Sequence, residues 1–133
     1  MHANEKLVRD FHVAQARVYA GQANAGAVEA LLSEDIVWHV PGRNAIAGEY
    51  RGKRAVFDYF TRRRRMAGES LRITVHRVLA DDEVVMQLAG GRAELGGALR
   101  EWETVGVFRI ADRRIAECWL VPFDQQSFDE AWS

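Results

Sequence analysis

Residues 71–122 read LRITVHRVLADDEVVMQLAGGRAELGGALREWETVGVFRIADRRIAECWLVP, and this stretch decides the fold. Apolar and polar residues alternate at its start, which is typical of a strand with one buried face. Glycines at positions 90, 91 and 106 interrupt the strand patterns, so the sheet is expected to bend sharply there. The stretch predicts an antiparallel meander of four strands, divided by three turns at Asp81–Asp82, Gly96–Gly97 and Ala111–Asp112.

The chain before the meander contains three predicted helices. Asn4 is a suitable N-cap for the first helix, and Gly21 ends it. A shorter helix follows around residues 27–32, and Gly52 opens the third. The arginines at positions 62–65 suit the negative end of that helix dipole and are expected in solvent. The apolar stripe of the first helix consists of Leu7, Phe11, Ala14 and Val18.

Two further strands are predicted between the second and third helices. Residues 35–40, Asp-Ile-Val-Trp-His-Val, are rich in β-branched and aromatic side chains and stop at Pro41–Gly42. A short strand near residues 46–50 can pair with them. A curved antiparallel sheet with three helices on its concave face accommodates all these elements. We therefore expect a single α+β domain over residues 1–133, with a conical pocket between helices and sheet.

Length and composition limit the class of protein. With 133 residues, of which 48% are hydrophobic and 28% charged, the chain is expected to form one soluble domain. A net charge of −1 argues against nucleic acid as a partner, and no apolar run reaches the ~18 residues of a membrane span. The lone Cys118 excludes an intramolecular disulfide, and the lack of a signal-peptide pattern favours a cytoplasmic location. Scattered histidines and the lack of a phosphate-binding loop predict no metal and no cofactor.

The order helix–helix–hairpin–helix–meander resembles the nuclear transport factor 2-like superfamily, the cone fold of ketosteroid isomerases, polyketide cyclases and limonene epoxide hydrolases. Within it, the chain is most similar to the SnoaL-like branch. The resemblance implies a cystatin-like roll that binds a small, largely apolar organic molecule and carries out cofactor-free acid–base chemistry. The segments that carry it are DIVWHVPG at 35–42, AGEYRG at 47–52, IAECW at 115–119, PFDQ at 122–125 and FDEAW at 128–132.

His39 is the first candidate catalytic residue. It precedes Pro41 on the strand where a ketosteroid isomerase carries its catalytic aspartate, and a neutral imidazole is a suitable general base at pH 7. Alignment on Asp35 and Pro41 places Val40 at the base position, and strand alternation puts His39 opposite Trp38. His39 therefore either acts as a pocket base or orients the Pro41 turn through hydrogen bonds.

The other catalytic groups of the isomerases have no counterpart. Their oxyanion-hole tyrosine would fall near Ala14 and their carboxylic acid donor near Thr104. The resemblance thus implies chemistry of the isomerase, cyclase or lyase type without implying steroid isomerisation. A non-catalytic ligand-binding or dimerisation module of the same fold is the competing class.

Arg92 and Glu94 form a second candidate group. An arginine two residues before a carboxylate resembles the Arg-x-Asp pair of limonene epoxide hydrolases, and such a pair can fix a water molecule or polarise an epoxide. The second aspartate of that family would fall near Leu120 or Val121, where the chain has none. The alternative is a cross-strand ion pair at a strand end.

Asp124 is the last catalytic candidate. In the SnoaL-like branch it could face the cavity mouth as an acid or base, or it could instead cap the short terminal helix. Indoles on separate strands predict a pocket for a flat apolar or aromatic ligand, with bulk core packing as the alternative. The predicted ligand-binding residues are Trp38, Phe57, Trp102, Thr104, Glu117 and Trp119.

A homodimer is the predicted assembly. Long strands leave a broad, partly apolar outer sheet surface, and members of the resembled family commonly pair by that surface. On the first meander strand, alternation predicts that Thr74, His76 and Val78 face outward.

Overall fold

In the computed structural model, which describes residues 1–133, helices and strands follow the predicted order. Residues 68–70 form a short 3₁₀ turn before the meander. None of the helices has the length and apolarity that crossing a membrane requires. The elements are α1 (Ala3–Tyr19), α2 (Gly26–Glu29), β1 (Leu32–Val40), β2 (Gly48–Arg51), α3 (Gly52–Ala67), β3 (Arg72–Ala80), β4 (Val84–Leu95), β5 (Ala98–Ala111), β6 (Arg114–Pro122) and α4 (Gln125–Ala131).

The six strands form one sheet in the order β2-β1-β6-β5-β4-β3. The meander β3–β6 is antiparallel throughout, as the turn signals predict. The one parallel pair joins β1 to β6, so the N-terminal hairpin extends the meander at its last strand. The α+β fold is confirmed, and the sheet is mixed rather than wholly antiparallel.

A bulge in β6 decides which side chains face the helices. Arg109 pairs with Glu117 and the next residue, Ile110, pairs with Ile115, so Ala116 is an extra residue in β6. An extra residue reverses the alternation of the strand. Ile115 is consequently buried against the helices, whereas Glu117 lies on the outer face.

A second bulge acts in the same way in β3. Val75 pairs with Ala89 and Arg77 with Leu88, which leaves His76 as the extra residue. Val78 therefore packs against the core, and the prediction that it faces outward with His76 is wrong.

The core lies between the concave face of the sheet and the helices. The buried stripe of α1 is rotated from the predicted one, and Leu7, Ala14 and Val18 lie at its edge. His2, not Asn4, caps this helix, because its Nδ1 accepts a hydrogen bond from the Asn4 N–H at 3.0 Å. The buried residues of α1 are Val8, Phe11, Gln15 and Tyr19.

Candidate functional site

A cavity opens between the concave face of the sheet and helices α1, α3 and α4. Its interior is narrow, about 50 Å³, and it adjoins a mouth of about 310 Å³ between the end of α1 and the start of β3. His12, Gln15, Leu71 and Ile73 line both spaces. A narrow interior with flat aromatic walls favours a planar group over a globular one. The aromatic side chains of the wall, His12 apart, are Phe11, Trp38, Tyr59, Trp102, Phe108, Phe128 and Trp132.

His12 lies where the cavity meets its mouth. Its Nε2 lies 2.8 Å from Oε1 of Gln87, which points inward from β4. An amide oxygen only accepts hydrogen bonds, so Nε2 carries the hydrogen and Nδ1 keeps its lone pair. Burial lowers the pKa of His12 from 6.5 to about 4, and the nearby Arg63 and Arg9 act in the same direction against the Gln87 hydrogen bond. His12 is therefore a neutral imidazole at pH 7, held in one orientation.

Arg63 brings a positive charge to the inner wall. The residue is 9% exposed, and its Nε and Nη2 donate to the hydroxyl of Tyr19 at 3.1 and 2.8 Å, while Nη1 donates to Tyr59 at 3.2 Å. Its guanidinium also lies 5.1–5.5 Å from the ring centroids of Tyr19, Tyr59 and Phe60. No carboxylate lies within salt-bridge distance of it. The expectation of a solvated arginine run is thus wrong at this position.

The hydroxyl of Tyr59 completes this part of the wall. Burial raises the pKa of Tyr59 to about 12, so the side chain stays a phenol at neutral pH. Its oxygen accepts the Arg63 hydrogen bond, and it donates to no protein acceptor. Its hydrogen therefore lacks a protein acceptor, although the side chain is fully buried.

Three more donors on the wall lack a protein partner. Nε2 of Gln15, Nε1 of Trp38 and Nε1 of Trp132 are buried without a hydrogen bond. Buried polar groups in folded proteins are nearly always paired, so these three require a partner that the chain does not supply. Since these atoms have almost no accessible surface, a ligand with hydrogen-bond acceptors reaches them only when their side chains move.

Three of the predicted ligand-binding residues lie on the cavity wall: Trp38, Trp102 and Thr104. The indole of Trp102 packs edge-on against Trp132, with ring centroids 5.3 Å apart. A side chain at Gly91, the cross-strand partner of Trp102, would overlap that indole. Gly91 thus makes room for the ring rather than only bending the sheet.

His39 lies on the outer face of the sheet, so the expectation that it acts as a base in the pocket is wrong. Its ring stacks on Trp119 with centroids 5.3 Å apart and planes 6° from parallel. Its Nε2 lies 2.6 Å from Oε2 of Glu117, and its Nδ1 lies 3.4 Å from Oε1 of Glu49. Alternation from the buried Trp38 turns His39 outward, and the β6 bulge does the same for Glu117 and Trp119. The expected place of Glu117 and Trp119 on the cavity wall is wrong for that reason.

The other catalytic candidates also lie outside the cavity. Arg92 and Glu94 are exposed on the outer face of β4, because they alternate with the buried Ala93. They form no ion pair with each other, so the chain lacks the pair expected by comparison with epoxide hydrolases. Phe57 lies on a different side of α3, in a groove beside α2, with its ring packed edge-on against Phe60.

Asp124 caps α4. Its Oδ1 accepts a hydrogen bond from the Ser127 N–H at 3.0 Å, and the residue is exposed and away from the cavity wall. Of the two roles weighed from the sequence, the structure places Asp124 in the structural one.

The capping contact predicts a stability effect. Asp124→Ala should lower the free energy of unfolding by about 1 kcal/mol, since it removes the acceptor for a free helix N–H. Asp124→Asn keeps an acceptor without the carboxylate and should retain most of the stability. Urea denaturation of both variants checks this, and an equal loss in the asparagine variant would contradict the capping role.

Sequence reasoning missed the polar groups of the wall. Arg63 follows Tyr59 by four residues and Phe60 by three, so it shares the buried face of α3. Gln15 follows the buried Phe11 by four residues on α1 in the same way. A polar residue on an otherwise apolar helix face is the feature of the sequence that could have identified both residues. His12 offered no such signal, because it lies at the edge of that face.

The comparisons with known proteins agree with the fold. The chain is similar to Bal32a from a soil-derived mobile gene cassette, with 27% identity and a TM-score of 0.87 over 98% of this chain and 97% of that one. A nuclear transport factor 2-like protein from Anabaena variabilis ATCC 29413 is 15% identical, with a TM-score of 0.79 over 93% and 94%. TerC co-crystallized with polyporic acid is 14% identical, with a TM-score of 0.78 over 98% of each chain.

The family assignment comes from the sequence itself. No curated protein matches the chain. The family model of the SnoaL-like domain matches residues 11–118, which is most of the chain. With the fold, the cavity and this match together, the protein belongs to the SnoaL-like domain family, as the resemblance in its sequence predicts.

Proposed function

We propose that this domain binds a flat, largely apolar organic molecule bearing carbonyl or enol oxygens and catalyses a cofactor-free proton transfer on it. The observation that carries the proposal is the neutral imidazole of His12, held by Gln87 at the junction of cavity and mouth. His12 is the general base in this account, and the donors of the wall bind the oxygen of the ligand.

The walls support the apolar and planar part of this ligand. Phe11, Trp38 and Phe108 surround the interior with aromatic surface. The ring centroid of Trp38 lies 5.7 Å from that of Phe11 and 6.2 Å from that of Phe108. Burial of a ring among them gains hydrophobic free energy and places its edge near His12. TerC, which shares the fold, was co-crystallized with polyporic acid, and this supports a small-molecule ligand here.

The proton transfer follows from the charge distribution. The lone pair of Nδ1 of His12 removes a proton from the carbon beside a carbonyl, and the electron pair left behind forms an enolate on the carbonyl oxygen. The Tyr59 hydroxyl and the Arg63 guanidinium supply donors for that developing negative charge. The negative charge also raises the pKa of His12, because the imidazolium then has an anion nearby. In a ligand whose enolate is conjugated with a carbon–carbon double bond, the imidazolium returns the proton to the far carbon of that double bond, which completes an isomerisation.

Exchange of carbon-bound hydrogen tests this proposal without knowledge of the natural substrate. 2-Tetralone, a flat bicyclic ketone with acidic hydrogens beside its carbonyl, is the probe. In deuterated buffer the protein should accelerate their exchange, as followed by proton NMR. Binding without any acceleration would support the competing class, a non-catalytic binding module.

Tryptophan fluorescence reports where the probe binds. Trp102 lies on the cavity wall and Trp119 on the outer face, so they form a matched pair. The emission change caused by 2-tetralone should shrink in Trp102→Phe and persist in Trp119→Phe. The reverse pattern would place the ligand outside the cavity.

We further propose that the chain forms a homodimer through the outer sheet face. One row of residues in register crosses five strands there, and two of its members, Leu79 and Met86, are 74% and 49% exposed. A row of exposed and half-buried apolar residues on one sheet face favours a protein partner, and a second copy supplies the same surface. The row consists of Leu79, Met86, Val107 and Trp119 and ends at His39.

Light scattering tests the dimer. The wild-type chain should have about twice its 15.1 kDa monomer mass at micromolar concentration. Met86→Glu places a charge within the row and should return the monomer mass. Val13→Glu, at a 61% exposed apolar position on α1, is the control and should leave the dimer intact. A monomeric wild type would contradict the proposal.

A further inference from the structure

Arginine is the only charged residue type, histidine apart, along the cavity wall and its mouth. Arg63 lies in the interior and Arg17 and Arg72 at the mouth, and neither space is lined by a carboxylate. The chain has 19 acidic and 18 basic residues, so its composition alone does not produce this separation. We propose that the ligand is an anion, a flat apolar body with one carboxylate or ionised enol group whose charged oxygen binds Arg63. This inference rests on the proposed function, since it names the class of ligand for the same cavity.

The bonding of Arg63 leaves it able to bind an anion. A guanidinium has five N–H groups, and Tyr19 and Tyr59 accept three of them. One N–H on each terminal nitrogen remains, and each can donate to a charged ligand oxygen. Phenols and ring faces partly stabilise a buried cation, but none of them cancels its charge. A ligand anion would supply the missing opposite charge.

The unpartnered donors support the same conclusion independently. Gln15, Trp38 and Trp132 each present a buried N–H group with no protein acceptor. The amide oxygen of Gln87, which also points inward, already accepts a hydrogen bond from His12. Oxygen-rich anions accept several hydrogen bonds at once, so they match these donors, while Nδ1 of His12 and Oε1 of Gln15 remain as acceptors on the wall.

The mouth provides an electrostatic route to the interior. Arg17 and Arg72 are exposed on either side of it, on α1 and β3. Arg72 is held in place, because its Nη1 donates to the carbonyl of Leu71 at 2.9 Å. Glu69 approaches Gly21 beside the mouth but does not line it. Charges of one sign around an opening accelerate the entry of ligands of the opposite sign.

Calorimetric titration with a matched ligand pair tests the inference. 2-Naphthoate and 2-naphthamide have nearly the same shape, and only the first is charged. The wild type should bind 2-naphthoate about tenfold more tightly or better, as expected for a charged hydrogen-bonded pair. Arg63→Met should remove this preference, Arg63→Lys should keep part of it, and Arg65→Met, at an exposed position two residues further on, should keep all of it. Titration with 2-hydroxy-1,4-naphthoquinone, which is an ionised enol at pH 7, shows whether the cavity prefers this kind of anion to the carboxylate of 2-naphthoate.

Equal affinity of the wild type for 2-naphthoate and 2-naphthamide would overturn the inference, and so would an unchanged preference in a folded Arg63→Met variant. If circular dichroism shows that Arg63→Met is unfolded, the wild-type ratio and its fall in Arg63→Lys decide the question. The measurement is separate from the exchange of 2-tetralone, which is neutral. A protein that accelerates exchange without preferring the anion retains the proposed function and loses this inference alone.

Discussion

Replacement of His12 by alanine should slow the exchange of 2-tetralone hydrogens by about 10²–10⁴-fold, which is the usual contribution of a general base. The reason is geometric. Gln87 fixes one ring nitrogen, so the other is the free base at the junction of cavity and mouth. No second titratable base lines the interior, because its remaining ionisable groups are Arg63, Tyr59 and the buried Cys118, whose pKa is raised by burial. No other residue can therefore replace the imidazole.

Two further variants separate catalysis from folding. His12→Gln can still donate a hydrogen bond to Gln87 but has no basic nitrogen, so it should be as slow as alanine while remaining folded. His39→Ala, on the outer face, should exchange 2-tetralone at the wild-type rate. Loss of exchange in His39→Ala with retention in His12→Ala would restore the candidate suggested by the sequence and contradict this account.

The second large effect is a loss of stability in acid that depends on His12. Burial lowers the pKa of His12 in the folded chain from 6.5 to about 4. Between these values the unfolded chain binds a proton that the folded chain does not, so the free energy of unfolding falls as the pH falls. The stability that depends on the neutral His12 is fully present above pH 6.5 and is lost by about pH 4. It corresponds to roughly 2–3 kcal/mol between pH 7 and about pH 4.5.

Urea denaturation of the wild type and of His12→Gln at the two pH values isolates this effect. Carboxylates titrate in the same range in both proteins and cancel in the comparison. The wild type should lose roughly 2–3 kcal/mol more than the variant. An equal loss in both proteins would show that the imidazole is solvated and can take up a proton in the folded state.

The sequence predicts the fold well and the site poorly, for a physical reason. Turn residues and alternation are local properties, and they predict the meander and the inward positions of Trp38, Trp102 and Thr104. Each bulge adds one residue within a strand and reverses every side chain beyond it. This is why Trp119 and Glu117 face outward although Ile115 faces inward.

The polar wall depends on contacts between distant segments. Arg63 is bonded to Tyr19, 44 residues away, and His12 lies beside Gln87, 75 residues away. Neither spacing is visible as a motif. A cluster of four arginines also favours the interpretation of a solvated helix end, although one of the four lies on the buried face. Only the packing of α1 and α3 against the sheet brings these groups together.

Intermolecular nuclear Overhauser effects between bound 2-tetralone and the protein show directly whether the ligand lies in the cavity against His12. We expect contacts from the probe hydrogens to the rings of His12, Phe108 and Trp102. Contacts confined to the outer face, to Met86 or Trp119, would contradict it.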